Sequence, residues 1–332
     1  MPDSHPFSTR GHPAEDAADR LDPQVVAAQE AMQAEGLMAA DPLVMPLAEA
    51  RAVGERAYAF LNREAPPVAT RDITADGPAG PLHLRLYRPP AANGLPLPVL
   101  VYFHGGGFVL NSVDTHDRLI RLLAVRSGAA VVAVRYGRAP EHRFPHQHEE
   151  ALAALRWAAR QGAAHGLDGS RLAVGGDSAG ANLALGAALA ARAPGEPRVS
   201  FGVLFYGMFA HDFHTPSHRR YGDGRYGLTT ARMRWYWEQY LGHREPTRDP
   251  RAAPLLADLA GLPPLLLLAA GLDCLYDDSL RLAERLAAAQ VPHTLTVSRS
   301  LPHGFANLTR LVAASDEAVT RAALAVRKHL AA

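Results

Sequence analysis

Cysteine is nearly missing from this sequence: Cys274 is the only one in 332 residues. That excludes an intramolecular disulfide framework and permits a reducing compartment. An excess of charge of one sign is also missing. Lys and Arg number 34 against 33 Asp and Glu, with no block of like charge, so neither nucleic acid nor an anionic surface is the expected partner. No apolar run reaches the roughly 18 residues that suggest a membrane span. The opening stretch, MPDSHPFSTRGHPAEDAADR, has no apolar core of the signal-peptide kind. A cytoplasmic protein without a membrane span is the expectation. Of two glycine-rich nucleotide signatures, G-x-G-x-x-G is not supplied by the spacing of Gly175, Gly176 and Gly180, and G-x-x-x-x-G-K-[ST] does not occur. What the sequence does have is apolar residues, 48% of the total. That is enough for the core of one large α/β unit carrying an inserted or appended cap.

Residues 1–20 are polar and rich in His, Pro and Asp, and are expected to be disordered. Helices follow. Asp22 suits an N-cap and Pro23 the first helical position, and a second helix is expected over Leu47–Arg63, after Pro42 and Pro46. These helices precede any strand, so they either form a lid or pack on the sheet. Strands are then expected at Ala69–Ala75, Leu82–Tyr87, Val99–Phe103, Ala129–Arg135, Phe201–Tyr206, Pro264–Ala270 and His293–Ser298. Helices alternate with most of them, at Leu119–Arg126, from Gln147 to Arg160, and from Ser279 to Ala289, which is the pattern of a parallel sheet. The stretch 208–250 breaks the alternation with a polar loop and an aromatic helix, Thr229–Gly242, whose Met233, Trp237, Tyr240 and Leu241 share a face. The last helix is expected to be capped by Ser315, with Asp316 and Glu317 in its first turn. No internal repeat is present.

The chemistry centres on Arg171–Ala191, RLAVGGDSAGANLALGAALAA, which reads as strand, tight turn and helix. Ser178 is flanked two residues away on each side by Gly176 and Gly180. A nucleophile elbow needs that pattern, because its neighbours approach too closely for larger side chains. Chance matches occur, and a phosphate-cradling turn is the rival reading, so a base, an acid and an anion site must be found elsewhere. His104-Gly105-Gly106-Gly107-Phe108 follows a strand and leaves several backbone amides free to converge on one point, as an oxyanion hole requires. His104 is expected to anchor that loop. Asp273 falls just past one strand and His303 just past the last, at the rim where open α/β sheets bind ligands. Asp277 and Asp278 compete with Asp273, but at the start of a helix they are expected to serve its dipole. His142, His146 and His148 cluster around a proline and are not expected to hold a metal.

Ser178, Asp273 and His303 thus occur in the chain order of the α/β hydrolases, each after a separate expected strand. The sequence resembles the hormone-sensitive-lipase-like, or family IV, carboxylesterases over residues 65–330. The resemblance rests on HGGGF at 104–108, GDSAGANLAL at 176–185, MRWYWEQYL at 233–241, DPRAAPLLADLAGLPP at 249–264, DCLYDD at 273–278 and HGF at 303–305. It implies an α/β-hydrolase fold, a mostly parallel sheet flanked by helices, with a cap from residues 21–65 and 208–250 over a catalytic domain spanning 66–332. It also implies a Ser178 nucleophile, a His303 base oriented by Asp273, and an oxyanion hole from the amides of Gly106, Gly107 and Ala179. No cofactor or metal is implied. The substrate would be a small ester of short to medium acyl chain. An amidase or formamidase with the same triad, or a ligand-binding relative without turnover, stands as the alternative. A homodimer is compatible with the sequence but not demanded by it. One departure stands out: Tyr136-Gly137-Arg138-Ala139-Pro140-Glu141 lacks the Arg that the family carries after the Tyr, so a structural ion pair is expected to be rewired.

Overall fold

The computed structural model describes residues 19–37, 40–90, 95–242 and 248–331. The stretch expected to be disordered lies outside these, apart from Asp19 and Arg20. Strands β1 (Ala69–Gly77), β2 (Gly80–Arg88), β3 (Leu97–Phe103), β4 (Ala130–Val134), β5 (Leu167–Asp177), β6 (Val199–Phe205), β7 (Leu265–Leu272) and β8 (His293–Pro302) form one sheet. Its order is β1-β2-β4-β3-β5-β6-β7-β8. The β1–β2 and β2–β4 pairs are antiparallel, and the rest of the sheet is parallel.

Period-two alternation assigns the two faces. On β3, Val99, Val101 and Phe103 join one core, while Leu100 and Tyr102 join the other. On β5, Leu172 and Val174 face opposite to Ala173. The first face is covered by α4 (His146–Arg160), α5 (Ala179–Ala190) and α8 (Tyr276–Ala288), and the second by α3 (Asp117–Ser127) and α9 (Ala313–Leu330). Central strands buried on both faces need near-continuous apolar runs, which is why VLVYF and LLLLAA were legible as strands.

Helices α1 (Pro23–Ala34) and α2 (Leu47–Leu61) come before the sheet, and α6 (Pro216–Tyr221) and α7 (Thr230–Leu241) come from the segment between β6 and β7. The expected cap of α1 forms: Asp22 Oδ1 accepts the Gln24 N–H at 2.8 Å. One expectation is corrected. Ser315 does not cap α9, because the extended backbone falls at Val312 and the helix starts at Ala313, leaving Ser315 buried inside the first turn. Asp277 and Asp278 sit in the first turn of α8 as expected, and both are buried. Asp278 Oδ2 accepts the N–H groups of Phe209 and Ala210 at 2.6 and 2.9 Å, and Asp277 Oδ2 that of Ser217 at 2.8 Å. They hold the start of the inserted segment to the sheet. No helix among the described residues is long and apolar enough to cross a membrane.

Candidate active site

The turn from β5 into α5 places Ser178 at φ 55° and ψ −119°, a backbone strain of order 1–3 kcal/mol for a non-glycine residue. The flanking glycines are there for space. A Cβ on Gly176 would run into the Gly180 carbonyl, and one on Gly180 into that of Phe103. Held this way, Ser178 Oγ lies 3.0 Å from His303 Nε2. The other ring nitrogen, Nδ1, lies 2.7 Å from Asp273 Oδ2. Asp273 is 2% exposed, and its Oδ1 accepts the Leu275 N–H at 3.0 Å. Tyr206 sets its ring edge against His303, with centroids 4.8 Å apart. Three residues separated by 95 and 30 positions in the chain therefore meet because β5, β7 and β8 all end at the same sheet edge.

The glycine loop after β3 lies beside them. Gly106 and Gly107 adopt φ 117° and 61°, which side chains rarely do, and a Cβ on Gly107 would enter the Tyr236 ring. The amides of Gly106, Gly107 and Ala179 find no acceptor among the described residues. His104 behaves as the expected anchor, stacking on Tyr136 with centroids 4.3 Å apart. Burial lowers its pKa to about 3, so the ring is neutral.

The residue that the sequence reading passed over is Asp177, immediately before the serine. Its Oδ1 accepts from Tyr102 Oη at 2.8 Å and from the Gly105 N–H at 2.9 Å, and its Oδ2 meets His116 Nε2 at 3.2 Å. Burial opposes its ionisation, but the His116 ring and the hydrogen bonds from His116 and Tyr102 outweigh that and hold it below the usual carboxylate range. Asp177 therefore ties the glycine loop to the elbow. The available signal was a lone charge between an apolar strand and an apolar helix, where a carboxylate must have partners.

The missing arginine of the Tyr136–Glu141 loop is compensated in two places. The Gly137 N–H donates to Glu150 Oε2 at 2.7 Å. Glu141 instead takes Arg51 of α2, at 2.6 and 2.9 Å, and the same guanidinium bonds the Val109 and Ala139 carbonyls at 3.0 Å each. His142 and His146 stack on one another, while His148 is buried against Phe144 and Tyr240. Among the described residues no group of three or more His, Cys, Asp or Glu could hold a metal. Cys274 is a buried free thiol, its pKa pushed well up by burial and by the Asp273 and Asp278 charges.

Ser178 and His303 open into a cavity of about 300 Å³. Its walls come from α1 (Val25, Ala28, Met32), α2 (Ala57, Tyr58, Leu61) and α7 (Met233, Tyr236), together with Gly106 and Gly107. The aromatic face of α7 has two duties, since Trp237 and Tyr240 pack on Phe108 while Met233 and Tyr236 face the cavity. A larger, more polar cavity of about 380 Å³ behind His104, lined by Arg51, Arg138 and Glu141, does not reach Ser178.

A parallel sheet with a strained serine at a strand-to-helix turn, and a histidine and buried aspartate at the same edge, defines a protein of the α/β-hydrolase class. The family described as having the alpha/beta hydrolase fold matches residues 100–307. The chain belongs to the hormone-sensitive-lipase-like carboxylesterases of that fold, a family of carboxylic ester hydrolases. It is 40% identical over 266 residues to the esterase LipI of Mycobacterium tuberculosis, covering 79% of this chain and 82% of that one. It is 38% identical over 291 residues to an ethyl acetate hydrolase of Pseudomonas putida, covering 85% and 90%. Among solved structures it is similar to a hyperthermophilic esterase from Pyrobaculum calidifontis, with TM-score 0.86 and 36% identity over 94% of this chain and 100% of that one.

Proposed function

We propose that this protein is a serine carboxylesterase that hydrolyses small esters by acyl transfer through Ser178. The observation that carries the proposal is the unbroken contact chain from Ser178 Oγ to His303 to Asp273, at 3.0 and 2.7 Å, beside three amides without acceptors. Ser178 attacks the ester carbonyl while His303 Nε2 takes its proton. Asp273 keeps the other ring proton on Nδ1 and stabilises the imidazolium that forms. The carbonyl oxygen, now negative, is received by the amides of Gly106, Gly107 and Ala179, and the start of α5 favours charge there. The alcohol leaves with the proton from His303. Water then repeats the sequence on the acyl-enzyme and releases the acid.

Helices α1, α2 and α7 act as the cap in this reading. They supply most of the apolar wall around Ser178, and Arg51 of α2 fixes the backbone just beyond the glycine loop. A mainly apolar pocket of this size favours short to medium acyl chains. Replacing Ser178 with Ala is expected to lower kcat by up to about 10⁶ with the far-UV circular dichroism unchanged. Mass spectrometry after treatment with a phosphonate ester is expected to find the label on Ser178. Near-normal turnover in the variant, or label elsewhere, would rule the mechanism out.

A further inference from the structure

The wall of the catalytic cavity carries a cation that, among the described residues, forms no ion pair. Arg232, in the first turn of α7, lines the same cavity as Ser178 and His303. Its Nη2 donates to the Ala40 carbonyl at 2.6 Å. Its buried Nε has no hydrogen-bond partner, and among the described residues no carboxylate forms an ion pair with it. Asp41, whose charge also acts on Tyr236, uses its carboxylate on the Leu43 N–H at 3.0 Å. The one carboxylate lining the cavity, Asp177, is already engaged by Tyr102, Gly105 and His116. A guanidinium offers five N–H donors and cannot shed its charge, so one partly withdrawn from water without a counter-ion is costly. The Ala40 carbonyl and the Tyr236 hydroxyl, which Arg232 also engages, account for donors but not for the charge, since a neutral amide could serve both as well.

A second observation lies on the same wall. Asn307 is 7% exposed and lines the cavity, yet its side-chain nitrogen has no partner among the described residues. Arg232, which has no ion-paired carboxylate among the described residues, and Asn307 therefore line one catalytic cavity whose remaining lining is mainly apolar.

Resting on the serine-esterase reading above, we infer that the preferred substrate is an ester that also carries a carboxylate, which Arg232 pairs and Asn307 hydrogen-bonds. The carboxylate belongs to the acyl or the alcohol part of the ester, and it supplies the ion pair that the described residues do not. A charge-assisted hydrogen bond in a partly buried site is strong enough to change relative kcat/KM by about ten- to a hundredfold.

The test compares matched pairs in a pH-stat. Monoethyl adipate against ethyl hexanoate places the carboxylate on the acyl side, and 4-acetoxybutanoate against butyl acetate places it on the alcohol side. Within each enzyme the ratio of kcat/KM, charged over neutral, does not depend on the fraction of folded protein. In the wild type, at least one ratio is expected to exceed one. Arg232→Met is expected to lower that ratio about tenfold or more, and Arg232→Lys to restore part of it. A fall of less than fivefold in both pairs would overturn the inference while leaving the esterase reading intact. A wild-type protein that cleaves none of the four esters would overturn both.

Discussion

At the scale of single residues, the site depends on how completely Asp273 is occupied. One carboxylate oxygen meets His303 Nδ1 at 2.7 Å and the other takes the Leu275 N–H at 3.0 Å, so an amide in its place would present a donor where an acceptor is needed. Asp273→Asn is expected to lower kcat by about 10⁴, whereas Asp277→Asn, which keeps an acceptor for the Ser217 N–H, is expected to stay within about tenfold of wild type. A chromogenic acetate assay on both variants checks this, and a crippled Asp277→Asn would move the acid role. Ser178, His303 and the glycines were legible because each carries a backbone or strand-end signature. Asp177, Arg232 and Asn307 were not, because their surroundings, such as Tyr102 of β3, His116 before α3 and the Ala40 carbonyl before α2, are brought from distant parts of the chain, which no local spacing encodes.

At the scale of elements, the segment between β6 and β7 shows how an insertion is tied to a sheet. The N–H groups of Phe209 and Ala210 converge on Asp278, whose pKa burial raises to about 7 even though both hydrogen bonds oppose the shift. In the unfolded chain such a carboxyl titrates near 3.9. Between those values the folded state holds the extra proton, so this contribution to stability is greatest below about pH 4 and is lost as pH rises through about 7. Urea unfolding from pH 4 to 8 is expected to show that Asp278→Asn, which keeps an acceptor for both amides, lacks that downward trend relative to wild type. Parallel curves for the two proteins would contradict the assignment. Asp277 and Asp278 take the first-turn position expected of them, and their burial has a physical reason: the segment 208–217 folds back over the first turn of α8 and removes it from water.

At the scale of the whole molecule, a cavity of about 300 Å³ takes much of its wall from three helices from two distant parts of the chain. Across a p-nitrophenyl ester series, kcat/KM is expected to rise by up to about fourfold per methylene, the equivalent of about 0.8 kcal/mol. The rise should end at the wall within roughly eight acyl carbons, the short-to-medium range that the family resemblance implies for so small a pocket. Met32→Ala, which shortens a wall residue of α1, is expected to move that break to a longer chain, and an unmoved break would show that α1 does not bound the acyl site. The sequence by itself determined the fold class and the strand order along the chain, and it singled out the serine, histidine, aspartate and glycine loop that meet at one sheet edge. Those features are written in short-range patterns: apolar runs that must be buried on both faces, and glycines where a backbone passes too close for a side chain. Only the tertiary structure decided which charges lack partners, which carboxylates are buried, and what encloses the serine. Such properties depend on long-range packing and on the sum of neighbours around a group, and neither is fixed until the helices before and between the strands have come to rest on the sheet edge.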